Sequence, residues 1–126
     1  MTTIDAEAGV NVVGKGHRTL HLIPAEVWNR QRHLTVYVPE AFESDGFIHC
    51  TDDADELMNV GNRYYKGDTR DYVALTIACD VVQPPVIYED QARMFPHIYG
   101  PLNVNAVERV QGVNRNTSGE FLGLMP

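Results

Sequence analysis

The chain has 126 residues, an apolar fraction of 44%, a charged fraction of 21% and a formal net charge of −7. That length gives one domain able to bury a core without disulfide staples. The acidic balance and the scatter of ten basic residues exclude a broad phosphate-neutralising surface, so nucleic acid is not an expected partner.

Residues 1–17 are small, acidic and glycine-containing, and read as a flexible leader; residues 18–126 form the expected domain. Thr19-Leu20-His21-Leu22-Ile23 has strand composition. Pro24 fits the first position of a helix whose apolar side is Ala25, Val27 and Trp28, fading near Arg32. Thr35 to Val38 is a short strand candidate, and Gly46 to Cys50 is the next. Thr51 then reads as the N-cap of the clearest helix. Asp52, Asp53, Asp55 and Glu56 place negative charge at its start, and Arg63 and Lys66 place positive charge at its end. Its buried face is Ala54, Leu57, Met58, Gly61, Tyr64 and Tyr65, and Gly61 there marks a close approach to a strand.

Asp71 to Cys79 alternates with apolar residues on both sides, which places it centrally in a sheet. Pro84-Pro85 breaks the chain. Short strands follow at Val86 to Glu89, Ile98-Tyr99 and Ala106 to Val110. The tail from Gly112 is rich in Gly, Asn and Ser, with Phe121 and Leu122 as anchors. Early helices and late strands suit an α+β fold with a mixed sheet and two short-to-medium helices.

The two cysteines, Cys50 and Cys79, lie in strand-like sequence outside any CxxC motif and read as buried thiols of a reducing compartment. No apolar run reaches the ~18 residues of a membrane span, and no signal-peptide pattern opens the chain. A cytoplasmic location without a membrane partner is the expectation.

Three histidines sit in apolar strand-like sequence: His21, His49 and His97. Histidine changes charge near neutral pH, so this placement points to a site. His49 precedes the expected helix N-terminus at Thr51, a position that favours anions and a neutral imidazole; a buried histidine bonded to backbone is the alternative. His97 lies in Pro96-His97-Ile98-Tyr99-Gly100-Pro101, where two prolines and a glycine fix the backbone. His17 and His33 lie in polar sequence and read as surface residues. Three histidines suit zinc, but no HxH or HExxH spacing supports a metal site. The acidic run from Asp52 reads as first-turn helix charge. Cys50 alternates away from His49, which opposes a Cys–His nucleophile. Glu89, Arg63 and Arg93 complete the candidate set.

His21 in its strand, Gly46-Phe47-Ile48-His49-Cys50-Thr51, Asn62-Arg63-Tyr64-Tyr65-Lys66-Gly67, Tyr88-Glu89 and Phe95-Pro96-His97-Ile98-Tyr99-Gly100-Pro101-Leu102 together resemble the bacterial family called domain of unknown function 952. The resemblance spans roughly residues 19 to 111. That family is grouped by fold with ADP-ribosyltransferases, which implies a split, mixed sheet with a cleft that holds NAD in active members. In the His-Tyr-Glu kind, a histidine on the first core strand holds the ribose region, an aromatic strand and helix line the nicotinamide, and a late glutamate stabilises the oxocarbenium-like transition state. His21 matches the first element. Phe47 to Thr51, leading into a helix over Thr51 to Lys66, resembles the second. At the third this chain has His97, which offers a dipole or a positive charge where the chemistry wants a carboxylate.

The resemblance therefore implies a nucleotide or phosphorylated small-molecule ligand, with NAD a candidate substrate. The expected catalytic residues are His49, His97 and Glu89, with Glu89 as the stand-in carboxylate. The expected binding residues are His21, Thr51, Arg63, Tyr65, Tyr99 and Gly100. RNA 2′-phosphotransferases of the same fold work without the glutamate, using Arg and His; Arg63 or Arg93 with His49 offers that set. Two rival expectations stand beside this one. The first is a non-catalytic ligand-binding module that lost the glutamate. The second is a histidine acid–base enzyme acting on an unrelated metabolite.

Overall fold

Strand β1 (Arg18–Pro24) is pleated and buries both faces toward its end, where His21, Leu22 and Ile23 are all buried. Thr19, His21 and Ile23 turn to one side, while Leu20 and Leu22 turn to the other. The computed structural model describes residues 16–126, so the expected leader lies outside the described residues up to residue 15.

Pro24 closes β1 at extended dihedrals and caps helix α1 (Ala25–Gln31), rather than occupying its first turn. Val27 and Trp28 bury the inner side of α1. Strand β2 (Val36–Tyr37) follows, and then a third helix the sequence pattern did not reveal, α2 (Phe42–Asp45), one turn long. Gly46, at φ 80°, ends α2 in the left-handed region that glycine favours, and the chain enters β3 (Ile48–His49).

Thr51 is not the cap of the next helix. Its backbone is used in pairing with Leu20: Leu20 N–H donates to Thr51 O at 2.9 Å, and Thr51 N–H to Leu20 O at 2.8 Å. Helix α3 (Ala54–Tyr64) starts later, and the Asp53 carboxylate caps it by accepting from Glu56 N–H at 3.0 Å. A helix start already filled by its own carboxylate is no anion site for His49. Leu57, Met58 and Gly61 form the buried face, and Tyr64 is exposed.

Strand β4 (Tyr72–Ala78) is central, as its two apolar sides predict. The remaining strands are β5 (Val86–Tyr88), β6 (Pro96–Ile98), β7 (Leu102–Asn103), β8 (Val107–Arg115) and β9 (Phe121–Leu124), with a 3-10 turn over Val104–Ala106. The polar tail is therefore mostly strand. Phe121 is its buried anchor, but the pleat turns Leu122 to solvent at 56% exposure.

The larger sheet runs β9-β8-β4-β1, a smaller one runs β3-β6-β5, and β2 pairs with β7. The expected mixed sheet is corrected: every ladder among the described residues is antiparallel. Short connections permit this, because no long crossover helix joins the β5, β6 and β7 strands. One core lies between the two sheets and includes Ile23, Trp28, Tyr37, Ile48, Leu75, Ile77 and Ile98. A second lies under α3 and includes Leu22, Leu57, Met58, Tyr72, Ala74 and Phe121. The single Leu20–Thr51 pair joins the two sheets at one point, and beyond it the split opens. Among the described residues no helix is long and apolar enough to cross a membrane.

Candidate functional site

The side chain of His21 fills the split where β1 and β3 part. Its Nδ1–H donates to His49 O at 2.6 Å. That bond fixes the tautomer, so Nε2 accepts from the Tyr37 hydroxyl at 2.8 Å. Burial brings the imidazole down to about 4, opposed by the bond to the His49 carbonyl, so the ring is neutral at physiological pH. Burial likewise pushes the Tyr37 phenol far above its ordinary value. Both ring nitrogens of His21 are thus used internally, and what they hold in place is the backbone of His49.

His49 and His97 are cross-strand partners on β3 and β6, with ring centroids 5.4 Å apart. The inward residues of these strands, Ile48 and Ile98, are fully buried, so alternation turns the two imidazoles outward together. Phe47 lies flat against His97, with centroids 4.0 Å apart and planes 12° from parallel. Tyr99 closes the same aromatic face, 5.3 Å from Phe47.

Each imidazole has its own carboxylate. His97 Nδ1–H donates to Glu89 Oε1 at 2.8 Å, and the Tyr99 hydroxyl donates to the same oxygen. Those bonds, from Tyr99 first and His97 second, hold the Glu89 carboxyl below its ordinary value. His49 Nε2–H donates to Asp45 Oδ2 at 3.0 Å. The two rings therefore leave opposite nitrogens outside these bonds: Nε2 on His97 and Nδ1 on His49.

Two adjoining depressions meet at His49. The larger, about 680 Å³, is lined by His49, Thr51, Arg63, Tyr65 and His97, together with Phe95 and Asp45. The smaller, about 190 Å³, takes in His21, His49, Thr51 and Tyr65, with Tyr37, Asp45 and Arg70. His21, His49 and His97 thus converge pairwise around His49. Glu89 and Tyr99 stand behind His97 rather than on the lining. Gly100 is a packing position, since a Cβ there would meet Pro84 Cβ at 3.0 Å. Arg93 lies over the Tyr88 ring, 5.0 Å from its centroid, and lines neither depression.

Tyr37, Asp45 and His17 escaped the sequence reading as site members. Asp45 reaches His49 only because Gly46 reverses the chain between them. His17 is no plain surface residue: its Nε2 lies 3.0 Å from Asp52 Oδ2 and 2.7 Å from the Tyr88 hydroxyl, which also donates to Asp52. Asp52 thus serves this cluster rather than the helix start. Cys50 and Cys79 are both buried free thiols. Among the described residues, no group of three or more His, Cys, Asp or Glu side chains is placed to hold a metal ion.

The fold is shared with protein CC0527 from Caulobacter crescentus, whose crystal structure superposes with a TM-score of 0.70 at 18% identity, covering 83% of this chain and 93% of that one. A double mutant of CC0527 superposes with the same values. At that identity the likeness is one of fold. No curated protein matches the chain. Residues 22–110 match the family described as "Protein of unknown function (DUF952)". That span runs from Leu22 in β1 to Val110 in the first half of β8, including the His49–His97 pair and the FPHIYGPL segment, and the chain belongs to the DUF952 family.

Proposed function

We propose that the protein binds a nucleotide or other phosphorylated small molecule in the larger depression and acts on it by histidine acid–base chemistry. His97 and His49 are the proton-transfer pair, and Arg63 is the anion-binding group. The observation that carries this reading is the pairing of each imidazole with a separate carboxylate. A carboxylate on one ring nitrogen orients the ring and stabilises its protonated form, which leaves the other nitrogen to exchange a proton with a ligand. Two such rings, 5.4 Å apart at the centroids, supply an acid and a base across one small reacting group. Arg63 is exposed on the last turn of α3 and lines the same depression. Its guanidinium offers the planar fork that phosphate oxygens accept.

Calorimetric titration with inorganic phosphate, AMP, ADP-ribose and NAD tests the reading. Saturable binding of at least one of these is expected, weakened about tenfold or more in Arg63→Ala, as loss of a charge-assisted hydrogen bond dictates. The absence of both heat and thermal protection at millimolar concentration of all four overturns it.

A second reading takes up the resemblance to ADP-ribosyltransferases and proposes NAD as substrate. It is favoured by Glu89, whose carboxylate lies 2.8 Å from His97, where that chemistry wants a negative charge. Nicotinamide release from NAD by the wild type, abolished in Glu89→Gln, is its expected signature. NAD binding without release in any variant leaves the ligand-binding module as the correct description.

A further inference from the structure

The smaller cleft has a different chemistry from the depression beside it. Its walls include the rings of Tyr37, Tyr65 and Tyr72. Tyr65 and Tyr72 stack at 5.4 Å, with planes 28° apart, and the Arg115 guanidinium already lies over the buried Tyr72 ring at 5.4 Å, so Tyr65 is the ring of this stack left to a ligand. The Tyr72 hydroxyl donates to Asp68 at 2.9 Å, and the Tyr37 hydroxyl donates to His21. Tyr37 and Tyr72 are buried, so these bonds fix the two phenols in the wall against which Tyr65 stands.

The charge of the lining agrees. Glu40, Asp45 and Asp68 contribute three carboxylates, and Arg70 is the one guanidinium among them. Arg70 is already matched, at 3.0 Å to Glu40 and 2.7 Å to Asp68. His21 adds no charge, because burial keeps it neutral. A protonated His49 still leaves the carboxylates in excess of the cations. An anionic ligand would meet repulsion here, whereas the larger depression, with Arg63, would welcome it.

The geometry points to a binding site for a small organic cation, an alkylammonium or quaternary ammonium group, in this cleft of about 190 Å³. That volume takes a trimethylammonium-sized head but not a whole nucleotide. Tyr65 supplies the cation–π face, and Asp45, which is partly exposed, supplies the long-range attraction. Asp45, His49 and Tyr65 border both depressions. The cation site does not depend on the phosphate reading, because Arg63 borders only the larger depression.

Choline and 3,3-dimethylbutan-1-ol have nearly the same shape and differ in charge, so they separate this site from a merely apolar hole. Titration of each into the whole protein, followed by NMR shifts of the Tyr65 and His49 backbone amides, is the test. Choline is expected to saturate in the millimolar range or below, and the neutral isostere to bind at least about fivefold more weakly. Asp45→Asn and Tyr65→Leu each weaken choline at least about threefold, while Arg63→Ala, which removes a positive charge from the adjoining depression, does not weaken it. Asp45 is partly exposed, so its variant stays informative even if the tyrosine variant unfolds. Equal binding of the two isosteres overturns the proposal, as does the lack of saturable choline binding at 20-fold excess over the millimolar range. Failure of phosphate binding with retained choline binding removes only the reading of the larger depression.

Discussion

His49 and His97 stand opposite each other on β3 and β6, and each gives its ring N–H to a different carboxylate. Asp45 holds one ring from the α2 side and Glu89 holds the other from beside β5. The two rings are bound through different nitrogens, so the pair presents one open Nδ1 and one open Nε2. His21 lies behind them with neither nitrogen open, and it acts on the pair only through the His49 carbonyl. Three histidines thus divide into two that can meet a ligand and one that shapes the strand they stand on.

The burial of His21 makes stability depend on pH in a defined direction. Its imidazole titrates at about 4 in the folded protein, against an ordinary value of 6.5. As the pH falls between those two values, the unfolded chain takes up a proton that the native protein refuses. Stability is therefore highest above the ordinary value and drops by about 3 kcal/mol on acidification to the lower one. Urea titrations at neutral pH and near pH 4 measure this drop in wild type and in His21→Gln, which cannot titrate. The wild type loses more stability than the variant; equal losses would show that His21 does not carry the effect.

Gly61 shows how much one helix position reveals. A Cβ built there would lie 2.6 Å from the Phe121 ring, which is itself buried against α3. Gly61→Ala overpacks this contact and is expected to cost about 1–3 kcal/mol despite the better helix propensity of alanine. Denaturant unfolding checks the sign. A neutral or stabilising result would mean that Phe121 moves aside freely.

That glycine was legible because α3 carries a helical apolar period, and a residue without a side chain on the buried face needs a close neighbour. The central position of β4 was legible for a similar reason: Leu75 and Ala74 are apolar on opposite faces. The inward–outward order of Phe47, Ile48, His49 and Cys50 also follows from alternation alone. What the pattern could not give was pairing. Thr51 has the composition of an N-cap, yet its backbone is committed to Leu20 from a strand about thirty residues earlier, and local chemistry carries no trace of that. Asp45 and Tyr37 were missed as partners of His49 and His21 for the same reason. Their roles depend on how the turn at Gly46 and the β2–β7 pair bring distant backbone together.

Tyr99 tunes the carboxylate behind His97. Its hydroxyl is the leading cause that holds Glu89 below its ordinary value, with His97 second. Tyr99→Phe removes that donor and keeps the ring against Phe47. The Glu89 carboxyl is then expected to titrate at a higher pH, toward the value of a free glutamate, as read by its side-chain carbon resonance. An unchanged titration midpoint would assign the whole effect to His97.

The two thiols set a last expectation, because both face the interior and neither has a partner sulfur. Burial raises the Cys50 thiol well above its ordinary value and pushes Cys79 up to about 12. A thiol reacts through its thiolate, so at pH 8 both are chemically silent as well as shielded. In the native protein, labelling by a disulfide reagent should proceed only as fast as the structure opens, with a rate that stops rising as reagent is added. In denaturant both should label at once. Prompt labelling of one thiol in the native protein would place it at the surface, and the first suspect would be Cys79, at the end of β4, rather than Cys50 beneath the histidine pair.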